Sequence, residues 1–312
     1  MASESHFKSL KDLTGKDYLA PGSPTCSGCG GMITLRLAHK VLGENVVFVN
    51  AAGCFSLLSC YPFTPFMSSW MYTAMACAPA GAQGVRDALD VLQAKGKRKP
   101  EEDMKVVVLT GDGSANDIGL QATSAAIHRG LDFYYLCYDN EAFGNTGFQM
   151  SSASPFGSRT GTSMPVGIHP VGTEQQKKNL FEIWRAHKPP YMATVSPSHP
   201  MDLARKFEKA GNFHGPKLFI SIAPCPPGWG IDTAQSANLG ELAVDTGIWP
   251  LKEAISGEVV HTYKPKFKPV EEYLKIQRRF QHLFSPVRQD EAINNIQQTI
   301  DDYWKDAKFA ER

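Results

Sequence analysis

The feature that most restricts the fold is a regular alternation of short apolar runs with longer amphipathic runs. Continuous apolar runs are typical of buried strands, and apolar residues every three or four positions are typical of helices. This pattern predicts strands at 46–50, 105–110, 131–138, 191–195 and 217–222, and helices at 30–43, 80–95, 117–129, 177–187 and 200–210. Strands that alternate with helices of this length form βαβ units, so we expect an α/β fold with a parallel sheet flanked by helices.

Composition divides the chain into three segments. Residues 1–25 form a polar N-terminal arm, residues 26–230 carry the alternating pattern, and residues 231–312 form a C-terminal extension. The extension loses the alternation and ends in an amphipathic helix predicted at 287–307. We expect it to pack on the main domain or on a partner subunit.

Charged residues are absent from residues 45–85, in a chain whose net charge is only +1. A balance this close to zero argues against a nucleic-acid binder, which needs a dense basic face. Pro62, Pro65 and Pro79 interrupt the uncharged stretch, so it does not resemble a membrane span of about 20 continuous apolar residues. The first eight residues lack the apolar segment of a signal peptide, and we expect a cytoplasmic location.

The chain has seven cysteines, a number that favours metal ligation or buried thiols over disulfides in a reducing compartment. Cys26 and Cys29 lie in a glycine-rich turn, and Cys54 and Cys225 each follow a predicted strand. Loops that follow parallel strands meet at one sheet edge, where these four thiols can converge. Spacing alone leaves three interpretations open: an iron–sulfur cluster, a zinc site, or a redox dithiol with two buried thiols. The remaining cysteines have apolar neighbours, which favours buried structural thiols at Cys60, Cys77 and Cys137.

A second motif combines Gly111-Asp112-Gly113 with Asn140, which follows the next predicted strand. The Asp112 carboxylate and the Asn140 amide are oxygen donors for a hard divalent ion, and the glycines allow close approach of a pyrophosphate. One helix and one strand fit between the two positions, which returns both to the same sheet edge. Taken alone, the glycine–aspartate–glycine sequence is better explained as an ordinary tight turn, and its spacing to Asn140 is what favours the metal site.

Together these motifs resemble a known family. Gly111-Asp112-Gly113 with Asn140 is similar to the thiamine pyrophosphate motif. With Cys26-Ser-Gly-Cys29, Asn50-Ala-Ala-Gly-Cys54, Asn145-Thr-Gly147 and Ala223-Pro-Cys225 added, the chain resembles the β subunit of a 2-oxoacid:ferredoxin oxidoreductase, and most closely the pyruvate branch. The resemblance implies a thiamine diphosphate-binding fold of the pyrophosphate type. It also implies oxidative decarboxylation of a small 2-oxoacid, with electrons passing through a [4Fe–4S] cluster to ferredoxin.

The resemblance also implies the site residues. The [4Fe–4S] ligands would be Cys26, Cys29, Cys54 and Cys225. The Mg²⁺ ligands would be Asp112, Asn140 and the carbonyl oxygen of Ala142. The thiamine diphosphate contacts would be Ala52, Gly53, Cys54, Phe55, Gly111, Gly113, Ser114, Gly144, Asn145 and Thr146, and Asn145 would be the catalytic residue near the substrate.

Thiamine enzymes also need a pyrimidine-binding domain with an activating glutamate, and the length leaves no room for one. The resemblance therefore implies an α subunit that supplies both, together with γ and δ subunits, ferredoxin, the 2-oxoacid and coenzyme A. Residues 45–85 would then line a shared active site, where burial penalises unpaired charge. Glu141, beside Asn140, is expected to be solvated or to support the metal ligands.

Two sets of alternatives follow from the sequence. Ala52 stands where the family often has threonine, so the substrate pocket lacks a hydroxyl group. Two alternatives to pyruvate therefore stay open: oxalate, which would not need coenzyme A, and a branched 2-oxoacid. A zinc-stabilised scaffold or thiol redox regulator would need only Cys26 and Cys29. A nicotinamide-dependent enzyme would need Gly-x-Gly-x-x-Gly after the first strand, and the sequence around Cys54 does not supply it.

Overall fold

The computed structural model describes residues 5–13 and 15–309. The strands are β1 (Val46–Ala51), β2 (Ser69–Thr73), β3 (Lys105–Gly111), β4 (Phe133–Asp139), β5 (Tyr191–Val195), β6 (Pro216–Ile222), β7 (Lys252–Ile255) and β8 (Glu258–His261). The helices are α1 (Gly30–Leu42), α2 (Ala78–Ala94), α3 (Leu120–His128), α4 (Leu180–Arg185), α5 (Pro200–Ala210), α6 (Pro226–Trp229), α7 (Ser236–Asp245), α8 (Val270–Lys275) and α9 (Asp290–Trp304). Residues 1–4 and 14 of the expected arm, and 310–312 of the extension, lie outside the described residues.

All eight strands form a single sheet in the order β2-β1-β3-β4-β6-β5-β7-β8. The strands β1 to β6 pair in parallel, which confirms the predicted fold class. The last two strands pair antiparallel at one end of the sheet and come from the C-terminal extension. The segment boundaries proposed from composition stay a prediction.

Helices cover both faces of the sheet, so its central strands are buried on both sides. All seven residues of β4 are buried, as a continuous apolar run predicts for a central parallel strand. Successive residues of β3 contribute to opposite cores, with Val106 and Val108 on one face and Val107 and Leu109 on the other. The helices α1 and α5 cover the second face, and α2, α3, α4, α7, α8 and α9 contribute to the first.

Several elements differ from the sequence prediction. The helix predicted at 117–129 begins as a π-helical turn at Ser114–Ile118 before α3. The helix predicted at 177–187 shortens to α4, because Lys177 and Lys178 precede it and form ion pairs. The strands β2, β7 and β8 and the helices α6, α7 and α8 were not predicted. No helix among the described residues combines the length and apolarity needed to cross a bilayer.

Candidate active site

The candidate site lies where four neighbouring strands end. Cys54 follows β1, Asp112 follows β3, Asn140 comes directly after β4, and Cys225 follows β6. These strands are consecutive in the sheet. Gly111 pairs with Tyr138, which places the residues after β3 and β4 at the same height along the sheet. Ligand sites of parallel sheets form at this carboxyl edge.

Three of the expected metal ligands converge at this edge. One terminal atom of the Asn140 amide lies 2.9 Å from Asp112 Oδ1 and 2.7 Å from the Ala142 carbonyl oxygen. Hydrogen bonding alone places the amide nitrogen there, donating to both oxygens. With the amide turned, three oxygens face one another, as they do around a bound cation. The donor set of one carboxylate, one amide and one carbonyl therefore fits Mg²⁺.

The Asp112 carboxylate is fully buried, which is costly for an unpaired charge. The hydroxyl of Ser151 donates to Asp112 Oδ2 at 2.5 Å. Burial and the nearby Asp139 carboxylate raise the pKa of Asp112 well above its ordinary value. A divalent cation would offset both effects, so the electrostatics also favour a metal at this position.

The glycines of the two loops allow close packing around Asp112 and Asn140. A Cβ atom on Gly113 would lie 2.3 Å from the Phe143 ring. A Cβ atom on Gly144 would lie 2.7 Å from the Asn140 amide. A side chain at position 113 would therefore push the two loops apart, and one at position 144 would displace the Asn140 amide within its own loop.

Three further expected cofactor contacts, Ser114, Asn145 and Thr146, lie in the segments that follow β3 and β4. Ser114 is buried and donates from its hydroxyl to the Met75 carbonyl oxygen at 2.6 Å. Asn145 and Thr146 lie in an exposed 3-10 turn. Thr146 donates to Gln149 Oε1 at 2.6 Å, whereas the Asn145 side chain makes no hydrogen bond within the described residues.

The four cysteines approach one another from three loops. Cys29 precedes α1 and Cys225 precedes α6, and the Gly30 N–H donates to the Pro224 carbonyl oxygen at 3.0 Å. Burial, with the neighbouring thiols of Cys225, Cys29 and Cys26, raises the pKa of Cys54 to about 12. Burial dominates at Cys225 as well, where the pKa also rises to about 12.

The thiols of Cys26, Cys29, Cys54 and Cys225 share one electrostatic environment. Within residues 5–13 and 15–309, no group of three or more His, Cys, Asp or Glu side chains is arranged to hold a metal ion.

Comparison with known proteins now identifies the family. Residues 51–221 match the family described as thiamine pyrophosphate enzyme, C-terminal TPP binding domain. The chain is 43% identical to pyruvate synthase subunit PorB of Methanocaldococcus jannaschii, over 93% of this chain and 96% of that protein. It is 45% identical to the same subunit of Methanothermobacter thermautotrophicus, over 86% and 91%. The chain belongs to the 2-oxoacid:ferredoxin oxidoreductase β-subunit family. The predicted family and enzyme class are thereby confirmed.

One further relative and one solved structure are consistent with this family assignment. Ketoisovalerate oxidoreductase subunit VorB of Pyrococcus furiosus is 35% identical over 97% of this chain and 96% of its own length. A 2-oxoglutarate:ferredoxin oxidoreductase from Magnetococcus marinus superposes with a TM-score of 0.54 over 67% of each chain, at 22% identity, which supports the fold. Cys26, Cys29 and Cys225 lie outside the segment that matches the thiamine pyrophosphate family. In this oxidoreductase subunit, most of the proposed cluster ligands therefore belong to flanking sequence.

The other cysteines of the oxidoreductase subunit correct part of the sequence prediction. Cys137 is buried in β4, as expected. Cys60 and Cys77 are exposed, so the prediction that they are buried was wrong. Both flank the region of β2, whose apolar residues lie at a free edge of the sheet instead of inside it. The apolar neighbours of Cys60 and Cys77 in the sequence indicated that the two thiols are buried, but side chains at this open edge stay exposed.

Sequence reasoning also missed Tyr138, which joins the two halves of the site. Its ring packs against the fully buried Phe55 at a centroid distance of 4.1 Å, with the two ring planes tilted by 37°. A Cβ atom on Gly53 would lie 2.8 Å from the Tyr138 hydroxyl oxygen, and one on Gly111 would lie 3.3 Å from its ring. The hydroxyl is buried without a hydrogen-bond partner in the described structure. Tyr138 thus packs between the Cys54 loop and the Gly111 turn. No sequence pattern distinguishes it from an ordinary core tyrosine.

A buried network of ion pairs supports the loop that carries Asn140. Lys177 Nζ lies 2.7 Å from Asp139 Oδ2 and 2.8 Å from Glu141 Oε1, and Arg279 lies 2.5 Å from Glu141 Oε2. The Arg279 guanidinium also lies 3.9 Å from the Trp229 ring centroid, and Trp229 Nε1 donates to the Asn140 carbonyl oxygen at 2.9 Å. Glu141 is therefore buried, supports the loop that carries Asn140, and is not solvated.

Proposed function

We propose that this chain is the β subunit of a pyruvate:ferredoxin oxidoreductase, which binds thiamine diphosphate, Mg²⁺ and one [4Fe–4S] cluster. The observation that carries the proposal is the convergence of Asp112, Asn140 and Ala142 beside the four-cysteine region, at one edge of a thiamine-type sheet. Pyruvate is the favoured substrate because the two relatives named as pyruvate synthase subunits are 43% and 45% identical to this chain, whereas the ketoisovalerate relative is 35% identical.

Each group of residues has a distinct role in this proposal. Asp112, Asn140 and the Ala142 carbonyl would hold Mg²⁺, and oxygen atoms of the diphosphate would complete its coordination. When bound, thiamine diphosphate supplies the carbanion chemistry, while the protein binds, orients and excludes water. The exposed Asn145 would meet the substrate.

The cysteine region supports a bound metal centre, and membership of the family favours a cluster there. Cys54, Cys225, Cys29 and Cys26 influence one another electrostatically. Burial disfavours the thiolate form at Cys54 and Cys225, and a bound cationic metal centre would compensate for that cost. Iron and acid-labile sulfide analysis tests this directly. Four of each per chain, with absorbance near about 400 nm, supports the cluster, and stoichiometric zinc in a colourless protein refutes it.

An apolar surface beside the site supports a partner subunit. Strand β2 has a free edge, and the stretch before and within it exposes Tyr61, Phe63, Met67 and Tyr72, with Tyr61 98% exposed. Exposed apolar surface at an open strand edge is typical of an interface. We propose that the α subunit covers this surface and supplies the pyrimidine-binding domain and its glutamate. The γ and δ subunits and ferredoxin would complete the complex, which we expect to work in the cytoplasm.

Anaerobic turnover of the complete complex tests the substrate. Pyruvate, a branched 2-oxoacid, 2-oxoglutarate and oxalate are supplied separately, with and without coenzyme A, while CO₂ release and ferredoxin reduction are measured. We expect the highest kcat/KM for pyruvate, with coenzyme A required. Preferred turnover of oxalate without coenzyme A, or of the branched 2-oxoacid, contradicts the assignment.

A second experiment tests the divided active site. The isolated chain, loaded with thiamine diphosphate, Mg²⁺ and the cluster, is assayed for pyruvate decarboxylation and then mixed with the α subunit. We expect activity only after mixing. Decarboxylation by the isolated chain refutes the need for a partner glutamate.

A further inference from the structure

A cavity of about 280 Å³ lies between the sheet and the C-terminal helix α9. Its walls are mostly apolar and include Phe181, Ile248, Trp249 and Ile300. It contains none of the residues proposed to bind the cluster, Mg²⁺ or thiamine diphosphate. Cavities of about 150 Å³ accommodate benzene, so this one has room for about ten non-hydrogen atoms.

Lys252 provides a buried cation at this cavity. Its side chain is only 6% exposed, and its ammonium donates no hydrogen bond within the described residues. The nearest carboxylate oxygen, Glu182 Oε1, lies 3.9 Å away, beyond hydrogen-bond distance. The ammonium lies 4.1 Å from the Phe181 ring centroid and 4.9 Å from that of Tyr303. The rings compensate for part of the lost hydration, and the ammonium still lacks an acceptor.

The other two lysines at the cavity are already engaged. Lys177 is paired with Asp139 and Glu141, and Lys178 donates to the Asn116 carbonyl oxygen at 2.6 Å. Lys252 is therefore the cavity lysine with donors left for a ligand. Burial lowers the pKa of Lys252 to about 8, although the Glu182 carboxylate acts in the opposite direction.

We propose that this cavity binds a small organic carboxylate with an apolar body, its carboxylate on the Lys252 ammonium. The apolar walls would contact the body of the ligand, and the ammonium would donate charge-assisted hydrogen bonds to its oxygens. A neutral molecule of the same size would fill the same space and leave the ammonium without an acceptor. Charge, and not size alone, would therefore select the ligand.

Calorimetric titration of the complete complex tests the site, with hexanoate as the probe. The neutral 1-hexanol and the cationic hexylamine serve as matched probes of the same length. We expect saturable hexanoate binding about tenfold or more tighter than that of 1-hexanol, since a hydrogen bond to a charged group contributes about 1.5–3 kcal/mol. Lys252→Met should remove this preference, and Lys97→Met, an exposed control, should leave it unchanged.

Equal affinities for hexanoate and 1-hexanol, or unchanged hexanoate binding in Lys252→Met, overturn the proposal. If Lys252→Met does not fold, Ile248→Trp provides the test, because the indole adds about six non-hydrogen atoms and takes up more than half of the cavity while Lys252 remains. Weaker hexanoate binding in Ile248→Trp supports the site. Binding at the native affinity means that hexanoate binds elsewhere and overturns it.

Discussion

Arg279→Met should strongly destabilise this subunit, because it removes one charge from a balanced buried group. In the native protein, the carboxylates of Asp139 and Glu141 are matched by the cations of Lys177 and Arg279. All except Lys177 have side chains no more than 7% exposed. Without Arg279, one ammonium must serve two buried carboxylates. Removing one partner of a buried pair costs about 3–5 kcal/mol, and we expect a loss in this range.

The direction of the pH dependence follows from Glu141. Although burial acts in the opposite direction, Lys177 and Arg279 hold the pKa of Glu141 below its ordinary value. Its ionisation therefore contributes stability that is present above the unfolded-state pKa and is lost as pH falls through the folded-state pKa. Without Arg279 the folded-state pKa of Glu141 rises, so the stability difference between Arg279→Met and the native protein should be largest near neutral pH and shrink in acid.

Denaturant unfolding of the purified chain, followed by far-UV circular dichroism, measures this loss. The matched control is the double variant Glu141→Gln/Arg279→Met, which removes one charge of each sign and keeps an acceptor for Lys177. We expect it to lie within about 1 kcal/mol of the native protein, because replacing both members of a buried pair is often neutral. A single variant that costs less than about 1 kcal/mol, or a double variant no more stable than the single one, refutes the charge-balance reasoning.

Three further predictions concern single residues. Asp112→Asn should lower the Mg²⁺-dependent affinity for thiamine diphosphate, measured by calorimetry, by about tenfold or more. The free energy of unfolding should stay the same or rise, because a buried charge is removed. Unchanged affinity would exclude Asp112 as a metal ligand. Gly113→Ala should destabilise the chain by about 1–3 kcal/mol in denaturant unfolding, since its methyl group would lie 2.3 Å from the Phe143 ring, and Phe143→Leu should recover part of the loss. Lys252→Met should raise the free energy of unfolding at pH 7 when no carboxylate ligand is bound. This gain in stability should shrink as pH rises above about 8, where the native lysine is already neutral in the folded state. Denaturant unfolding at several pH values measures it, and a gain that grows with pH would contradict the prediction.

The sheet was predictable where burial made the sequence uniform. The central strand β4 is buried throughout, and its residues before Asp139 appear in the sequence as an unbroken apolar run. The strand β2 was missed because it is a half-exposed edge strand without such a run. The strand β7 was missed for the opposite reason, since its buried Lys252 and Glu253 interrupt the apolar pattern. Burial of charge depends on partners that are distant in sequence, and local patterns do not contain them.

The same distinction applies to the site. Asp112 and Asn140 were predictable because each follows a strand, and parallel strands bring such positions to one edge. The support from Lys177, Trp229 and Arg279 was not predictable, because these residues reach the Asn140 loop from three separate parts of the chain. Local sequence defines which side chains follow a strand, but only the packed structure shows which distant residues hold them in place.

The proposed cluster and metal sites share their structural support. Trp229 ends the short helix α6, which begins directly after Cys225, and its indole N–H holds the Asn140 carbonyl oxygen at 2.9 Å. Arg279 stacks on that indole and pairs with Glu141, the residue between the two expected metal ligands Asn140 and Ala142. A displacement of the Cys225 loop would therefore shift the metal loop as well. Because Trp229 and Arg279 both lie outside residues 51–221, the flanking sequence that brings Cys225 to the site also positions the thiamine-type motif.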